Sequence, residues 1–283
     1  MHNAVIDQAD ARRHLGEDDW VLIDCRFVIR EPAQGERDFE RSHVRGALYA
    51  HLDRDLSGPI VPGRTGRHPL PAPDAFTDSV RQWGIGDGTQ VVVYDDSSGS
   101  MAAARLWWLL RWAGHEAVAV LDGGFQRWVA AGFPVEAGPA GGHAGRSPFV
   151  PRFRAEMAVD ADDVLAVLHD PDWVVLDARA ADRYRGENET LDPVAGHIPG
   201  AVSAPWQDNL AADGSFRSSA ELQERLERLT GGRSPSRTVL YCGSGVTAAH
   251  QALAFVQAGK GMPRLYAGSW SHWITDPARP VAR

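Results

Sequence analysis

The sequence is written twice, and that duplication decides what the chain can fold into. Trp20-Val-Leu-Ile-Asp-Cys-Arg26 returns as Trp173-Val-Val-Leu-Asp-Ala-Arg179, and Ser42-His-Val-Arg-Gly-Ala47 returns as Gly196-His-Ile-Pro-Gly-Ala201. Val91-Val-Val-Tyr-Asp95 answers to Thr238-Val-Leu-Tyr-Cys242, and Leu121-Asp-Gly-Gly-Phe-Gln-Arg-Trp128 to Tyr266-Ala-Gly-Ser-Trp-Ser-His-Trp273. The four matches keep their order at a spacing of about 150 residues, the size of a domain and far longer than a solenoid repeat. Residues 1–136 are therefore expected to form one domain and 155–283 a second, joined by a linker over 137–154. The run from Pro134 to Pro148 is rich in Gly and Pro and lacks periodicity, as a linker should.

Inside each copy, short runs of Val, Ile and Leu at 21–24, 91–94, 118–121, 174–176 and 238–241 predict strands buried on both faces. Longer stretches at 101–113, 124–131, 219–229 and 246–258 predict the helices that cover them. Such alternation implies an α/β class, with two tandem parallel sheets flanked by helices on both faces. In sheets of this kind a ligand binds beyond the C-terminal ends of the strands.

Composition narrows the function. The 283 residues are 43% hydrophobic and 23% charged, with a formal net charge of −8. An acidic chain lacks the basic face that nucleic acid or an anionic membrane requires, so neither is an expected partner. Only two cysteines occur, Cys25 and Cys242, and neither has metal-ligand or Cys-x-x-Cys spacing. No metal is implied, and the scarcity of cysteine fits a reducing compartment. The N-terminal residues show no charged-then-apolar signal pattern, and apolar runs fall short of a membrane span. A cytoplasmic location is expected.

The duplication breaks at one chemically decisive place. Cys242 ends a strand-like run and is followed by Gly243, Ser244, Gly245, Val246 and Thr247, where a helix-like run begins; the first copy has Asp95 there. Backbone N–H groups in a small loop, together with a helix N-terminus, favour an anion at that sulfur. Cys242 is thus the candidate nucleophile, present in one copy only. Cys25 matches Ala178, so its site asks only for a small apolar side chain. A cysteine phosphatase would need an arginine six residues beyond the cysteine to clamp phosphoryl oxygens. Ala248 stands there.

Taken together, Asp-x-Arg, Gly-His-Ile-Pro-Gly-Ala and Cys-Gly-Ser-Gly-Val-Thr-Ala resemble the tandem rhodanese-type sulfurtransferases over nearly the whole chain. The resemblance implies an inactive first domain and a catalytic second. The loop from Cys242 to Thr247 is most similar to that of 3-mercaptopyruvate sulfurtransferases. The thiosulfate-using branch more often carries Arg-Lys where this chain has Gly243 and Ser244. A dianion gains more from two adjacent cations than mercaptopyruvate, with its single carboxylate, would. The resemblance further implies that Arg183 holds the substrate carboxylate, a pairing guanidinium suits. Nine residues further on a second arginine is expected, but the chain has Asp192, with Arg185 the nearest alternative cation. It also implies a triad of Ser244 with His68 and Asp53 of the first copy, able to relay a proton. An ordinary loop histidine and a helix-capping aspartate are the plainer alternative.

His43 and His197 recur in both copies and are expected to satisfy backbone groups. Trp107, Trp108, Trp112, Trp128, Trp270 and Trp273 are expected in core and domain interface. The reading that emerges is a two-step transfer: Cys242 takes sulfur from 3-mercaptopyruvate as a persulfide, then passes it to a thiol, thioredoxin or cyanide. No organic cofactor is implied. The alternatives are a thiosulfate sulfurtransferase and a non-enzymatic persulfide carrier or sensor.

Overall fold

The computed structural model describes residues 1–141 and 148–283. Residues 142–147, the middle of the expected linker, lie outside the described residues. The chain divides into two compact units, though not at the boundaries the duplication predicts. The first comprises Met1–Gly58, Pro71–Arg154 and Asp213–Phe216; the second comprises Pro59–Leu70, Ala155–Ala212 and Arg217–Arg283. The end of the expected linker therefore belongs to the first unit. There the N–H groups of Arg152 and Arg154 donate to the carbonyls of Ala113 (2.8 Å) and Trp112 (2.9 Å). Those carbonyls stand at a helix C-terminus, where no intrahelical donor reaches them.

In the first unit, strands β1 (Val5–Ile6), β2 (Trp20–Asp24), β4 (Leu48–Tyr49), β5 (Gln90–Tyr94) and β6 (Val118–Leu121) form a sheet in the order β1-β6-β5-β2-β4. All of its pairings are parallel. A separate antiparallel pair joins β3 (His43–Val44) to β7 (Val135–Glu136). The helices are α1 (Gln8–Arg13), α2 (Gln34–Arg41), α3 (Pro73–Gln82), α4 (Ala102–Trp112) and α5 (Gly124–Ala130). Every residue of β5 is buried, as befits a strand covered on both faces. Leu22, Val92 and Ala119 pack against Ala11, Phe39 and Trp128 on one side of the sheet. The alternate residues Val91, Val93 and Val120 are equally buried. Helix α4 is buried along its whole length, Trp107 and Trp108 included, which explains an apolar run without a polar face.

The second unit repeats the plan. Strands β8 (Ala158–Val159), β9 (Val174–Asp177), β10 (Val202–Ser203), β11 (Thr238–Tyr241) and β12 (Arg264–Tyr266) lie parallel in the order β10-β9-β11-β12-β8. Read from the other edge, this is the strand order of the first unit with matched elements in matched places. Around it stand α6 (Ala161–Val167), α7 (Ala181–Tyr184), α8 (Ser219–Thr230), α9 (Thr247–Gln257) and α10 (Ser269–Trp273). Capping boxes at Asp160/Asp163 and Ser218/Glu221 fix the starts of α6 and α8. Trp270 and Trp273 are fully buried in this unit's core.

The repeated Asp-x-Arg motif closes each sheet in the same way. Asp24 and Asp177 end their strands buried, and each carboxylate pairs with the arginine two residues on. That arginine then donates to a carbonyl of the Gly-His segment: Arg26 to Ser42, and Arg179 to Gly196 at 2.7 Å. The histidines are structural, as expected. His43 Nδ1 bonds the Phe39 carbonyl (2.7 Å) and His197 Nδ1 the Tyr184 carbonyl (2.9 Å). No helix among the described residues is long and apolar enough to cross a membrane.

Candidate active site

Cys242 follows the last residue of β11, and α9 begins five residues later. The side chain is 2% exposed, and the N–H of Gly245 donates to its Sγ at 3.2 Å. Only glycine fits position 245. Its φ is +77°, and a Cβ would press into the carbonyl of Ala267. The sulfur is therefore held by a backbone donor near a helix N-terminus, the arrangement that stabilises an anion.

Behind the loop stands a turn whose role the sequence did not disclose. Ser269, fully buried, adopts φ +55°, a left-handed conformation unusual for a residue with a side chain. Its Oγ accepts the N–H of Cys242 (3.0 Å) and donates to the Tyr266 carbonyl (2.9 Å). The N–H groups of Trp270 and Ser271 then donate to the carbonyls of Cys242 (3.0 Å) and Gly243 (2.9 Å). The first copy has Gly124 where the second has Ser269, also left-handed at φ +63°. A clue was available: a serine replacing glycine at a left-handed turn needs a use for its hydroxyl.

The first copy shows what an anion does in this loop. Asp95 is buried, and its carboxylate accepts the N–H groups of Ser97 (2.9 Å), Gly99 (2.8 Å), Met101 (3.0 Å) and Ala103 (3.2 Å). Burial pushes its pKa up to about 6, against the pull of those four donors. Cys25 is fully buried, and burial drives its thiol well above the ordinary range. It is an inert packing residue, as its match to Ala178 implied.

His68 belongs to the Pro59–Leu70 segment of the second unit, although it precedes the linker. Its Nδ1 lies 2.7 Å from the Oγ of Ser244, so the structure brings these two expected partners together. Asp53 is a residue of the first unit, where its N–H donates to Nδ1 of His51 (3.2 Å).

Beside His68, Arg67 is a further candidate site residue, one that no motif in the sequence marks. Its N–H donates to the Oγ of Ser271 (3.1 Å). A Cβ placed on Gly243 would stand 2.9 Å from Nη2 of Arg67 and 3.5 Å from Nη1 of Arg183. Two guanidinium groups thus converge on the loop. Arg183 also donates from Nε to Glu189 Oε2 (3.1 Å) and from Nη2 to Glu189 Oε1 (2.9 Å) and Asp192 Oδ2 (3.2 Å). Arg67 Nη1 pairs with Oδ1 of Asp192. Asp192 occupies the expected arginine position, yet the site keeps a second cation through Arg67. Arg185 does not supply it: that side chain is exposed and paired with Glu187 at 2.7 Å.

Burial works against charge on Glu189, but the Leu191 N–H and the Arg183 guanidinium outweigh it and hold its carboxyl below the usual value. Asp192 shifts the other way, because burial exceeds the help it receives from Arg67. Its titration lies nearer neutrality than that of an ordinary aspartate.

A family model described as a rhodanese-like domain matches residues 7–131 and again 160–276. The chain is 48% identical over 269 residues to the Pseudomonas aeruginosa protein named "Probable 3-mercaptopyruvate sulfurtransferase", covering 95% of this chain and 94% of that one. It is 35% identical over 259 residues to the thiosulfate sulfurtransferase of Mus musculus, covering 89% and 84%. Among solved structures, the 3-mercaptopyruvate sulfurtransferase from Leishmania major matches with a TM-score of 0.83 at 33% identity. That match covers 95% of this chain and 73% of the other.

Proposed function

The chain belongs to the rhodanese-like family and is a sulfurtransferase, and from that premise we propose that it moves the sulfur of 3-mercaptopyruvate through a persulfide on Cys242. The observation that carries the proposal is the convergence of Arg67, Arg183 and the Gly245 N–H on one buried sulfur-bearing loop. The guanidinium pair takes the donor carboxylate. Sγ of Cys242, as the thiolate, attacks the sulfur of the donor, and the carbon–sulfur bond breaks with its electrons going to carbon. The pyruvate enolate so formed takes a proton from the Ser244 hydroxyl, which His68 resupplies. The S–H proton carried in by the donor leaves the new persulfide and balances the proton given to carbon, so a persulfide anion remains on Cys242, held by the loop N–H groups. A thiol, a thioredoxin-like protein or cyanide then attacks the outer sulfur and restores the thiolate.

Thiosulfate is the second reading, favoured by the likeness to the mouse thiosulfate enzyme and by the presence of two guanidinium groups rather than one. The two unpaired buried cysteines fit a reducing cytoplasm, where we place the protein. The test is intact mass after exposure to each donor, with kcat/KM for both donors measured side by side using cyanide. One added sulfur atom that disappears on adding cyanide, with higher kcat/KM for mercaptopyruvate, is the expected result. Full transfer activity in Cys242→Ser would overturn the mechanism. A single burst without further cycles would make the protein a persulfide carrier.

A further inference from the structure

Asp192 contributes more than the absence of an arginine. Its carboxylate gives Oδ1 to Arg67 and Oδ2 to Arg183, so one small side chain ties together two guanidinium groups from distant parts of the sequence. Glu189 is fixed independently, since its Oε1 accepts the N–H groups of Leu191 (2.9 Å) and Asp192 (3.1 Å). Asp192 is 3% exposed and Glu189 2%, whereas Arg183 and Arg67 retain 18% and 26%. The carboxylates lie inside, and the guanidinium groups face the loop. Arg179 joins from behind, with Nη1 3.5 Å from Glu189 Oε2 and its own pairing to Asp177, so three positive and three negative charges cancel within this cluster.

We propose that Asp192 is a positioning residue that sets donor selectivity: it turns Arg67 and Arg183 onto the Gly243 loop and lowers the local charge to suit a monoanion. The inference rests on the sulfurtransferase reading of Cys242. The attraction of a dianion to each unit of site charge is twice that of a monoanion. A clamp whose charge is cancelled from behind keeps its directed N–H groups for one carboxylate while giving up the excess field a dianion would exploit.

The experiment compares Asp192→Asn and Arg67→Gln with the wild type, using the full chain and both donors, with cyanide as acceptor. In Asp192→Asn the thiosulfate-to-mercaptopyruvate ratio of kcat/KM rises about tenfold, through KM, because one negative charge leaves the site. Arg67→Gln moves the ratio the opposite way and raises KM for both donors, with kcat within about threefold of wild type. A role confined to folding would lower both donors together and leave the ratio still. An unmoved ratio in these variants, with persulfide formation intact, overturns the proposal. Should Asp192→Asn fail to fold, the Arg67→Gln ratio decides alone, since that change leaves the buried carboxylate paired with Arg183. A wild type that forms no persulfide with either donor refutes the sulfurtransferase reading itself, and this inference falls with it.

Discussion

Replacing Ser269 by alanine and, separately, by glycine sets two energies at one residue against each other. The hydroxyl is the acceptor for the buried N–H of Cys242, and the backbone sits at φ +55°. Both variants strand that N–H, which costs about 1–3 kcal/mol in a buried position. Alanine also keeps the left-handed strain of a residue with a Cβ, about 1–2 kcal/mol, which glycine sheds. Glycine gives back about 0.5–1 kcal/mol through the greater freedom of its unfolded chain. The net expectation is that Ser269→Gly is more stable than Ser269→Ala by about 0.5–1 kcal/mol, the reverse of their order in an ordinary helix. Thermal unfolding followed by tryptophan fluorescence would show the glycine variant melting about 1–4 °C higher, with wild type above both. An alanine variant that melts at or above the glycine variant would show that φ +55° stores no strain, and the reasoning would fail.

Other expectations follow from the same geometry. Gly245→Ala forces a Cβ into the Ala267 carbonyl at a left-handed position, so we expect about 3 kcal/mol of lost stability and near-complete loss of persulfide formation by mass. Normal sulfur loading in that variant would count against the loop geometry. His68→Gln should lower kcat with mercaptopyruvate by about two to three orders of magnitude, because the enolate needs a proton. It should affect thiosulfate far less, since sulfite leaves without one; equal losses would remove His68 from proton delivery. Asp95, with its folded pKa raised to about 6 from 3.8, binds a proton more readily in the folded state. Its contribution is most favourable below pH 3.8 and is lost as pH rises through 6. Relative to Asp95→Asn, wild type should therefore gain about 2 kcal/mol between pH 7 and pH 4. A stability difference that stays constant across that window contradicts the assignment.

Much of the fold was legible because the information was local or repeated. The runs at 91–94, 118–121 and 238–241 are strands, and 101–113 and 246–258 contain α4 and α9, since apolar runs and helical lengths are written along the chain. Cys242 stood out by comparison with Asp95. What escaped notice depends on contacts between distant residues. Arg67 reaches Asp192 across 125 positions, and His68 reaches Ser244 across 176, the latter anticipated only by resemblance. Position 192 was read as a missing cation because residue identity was compared one position at a time. Charge in a site is a property of the cluster, and Arg67 supplies from another segment what that position does not. The division of the chain misled for a similar reason: Pro59–Leu70 precedes the linker yet belongs with the second unit.

The carboxylate of Asp95 is a tethered tenant. Its two oxygens occupy four backbone N–H groups, so the first loop is complete without any visitor. The Cys242 loop instead gives the Gly245 N–H to a sulfur that, in the proposed mechanism, changes charge and size during turnover. Of two corresponding turns, one has a stability that no donor alters and the other a stability set by what it carries. Sulfur loading should thus tighten the second loop and leave the first untouched, as binding to the folded state alone requires. The first copy thereby serves as an internal reference in the same molecule, against which hydrogen exchange at 243–247 can be read with and without the donor.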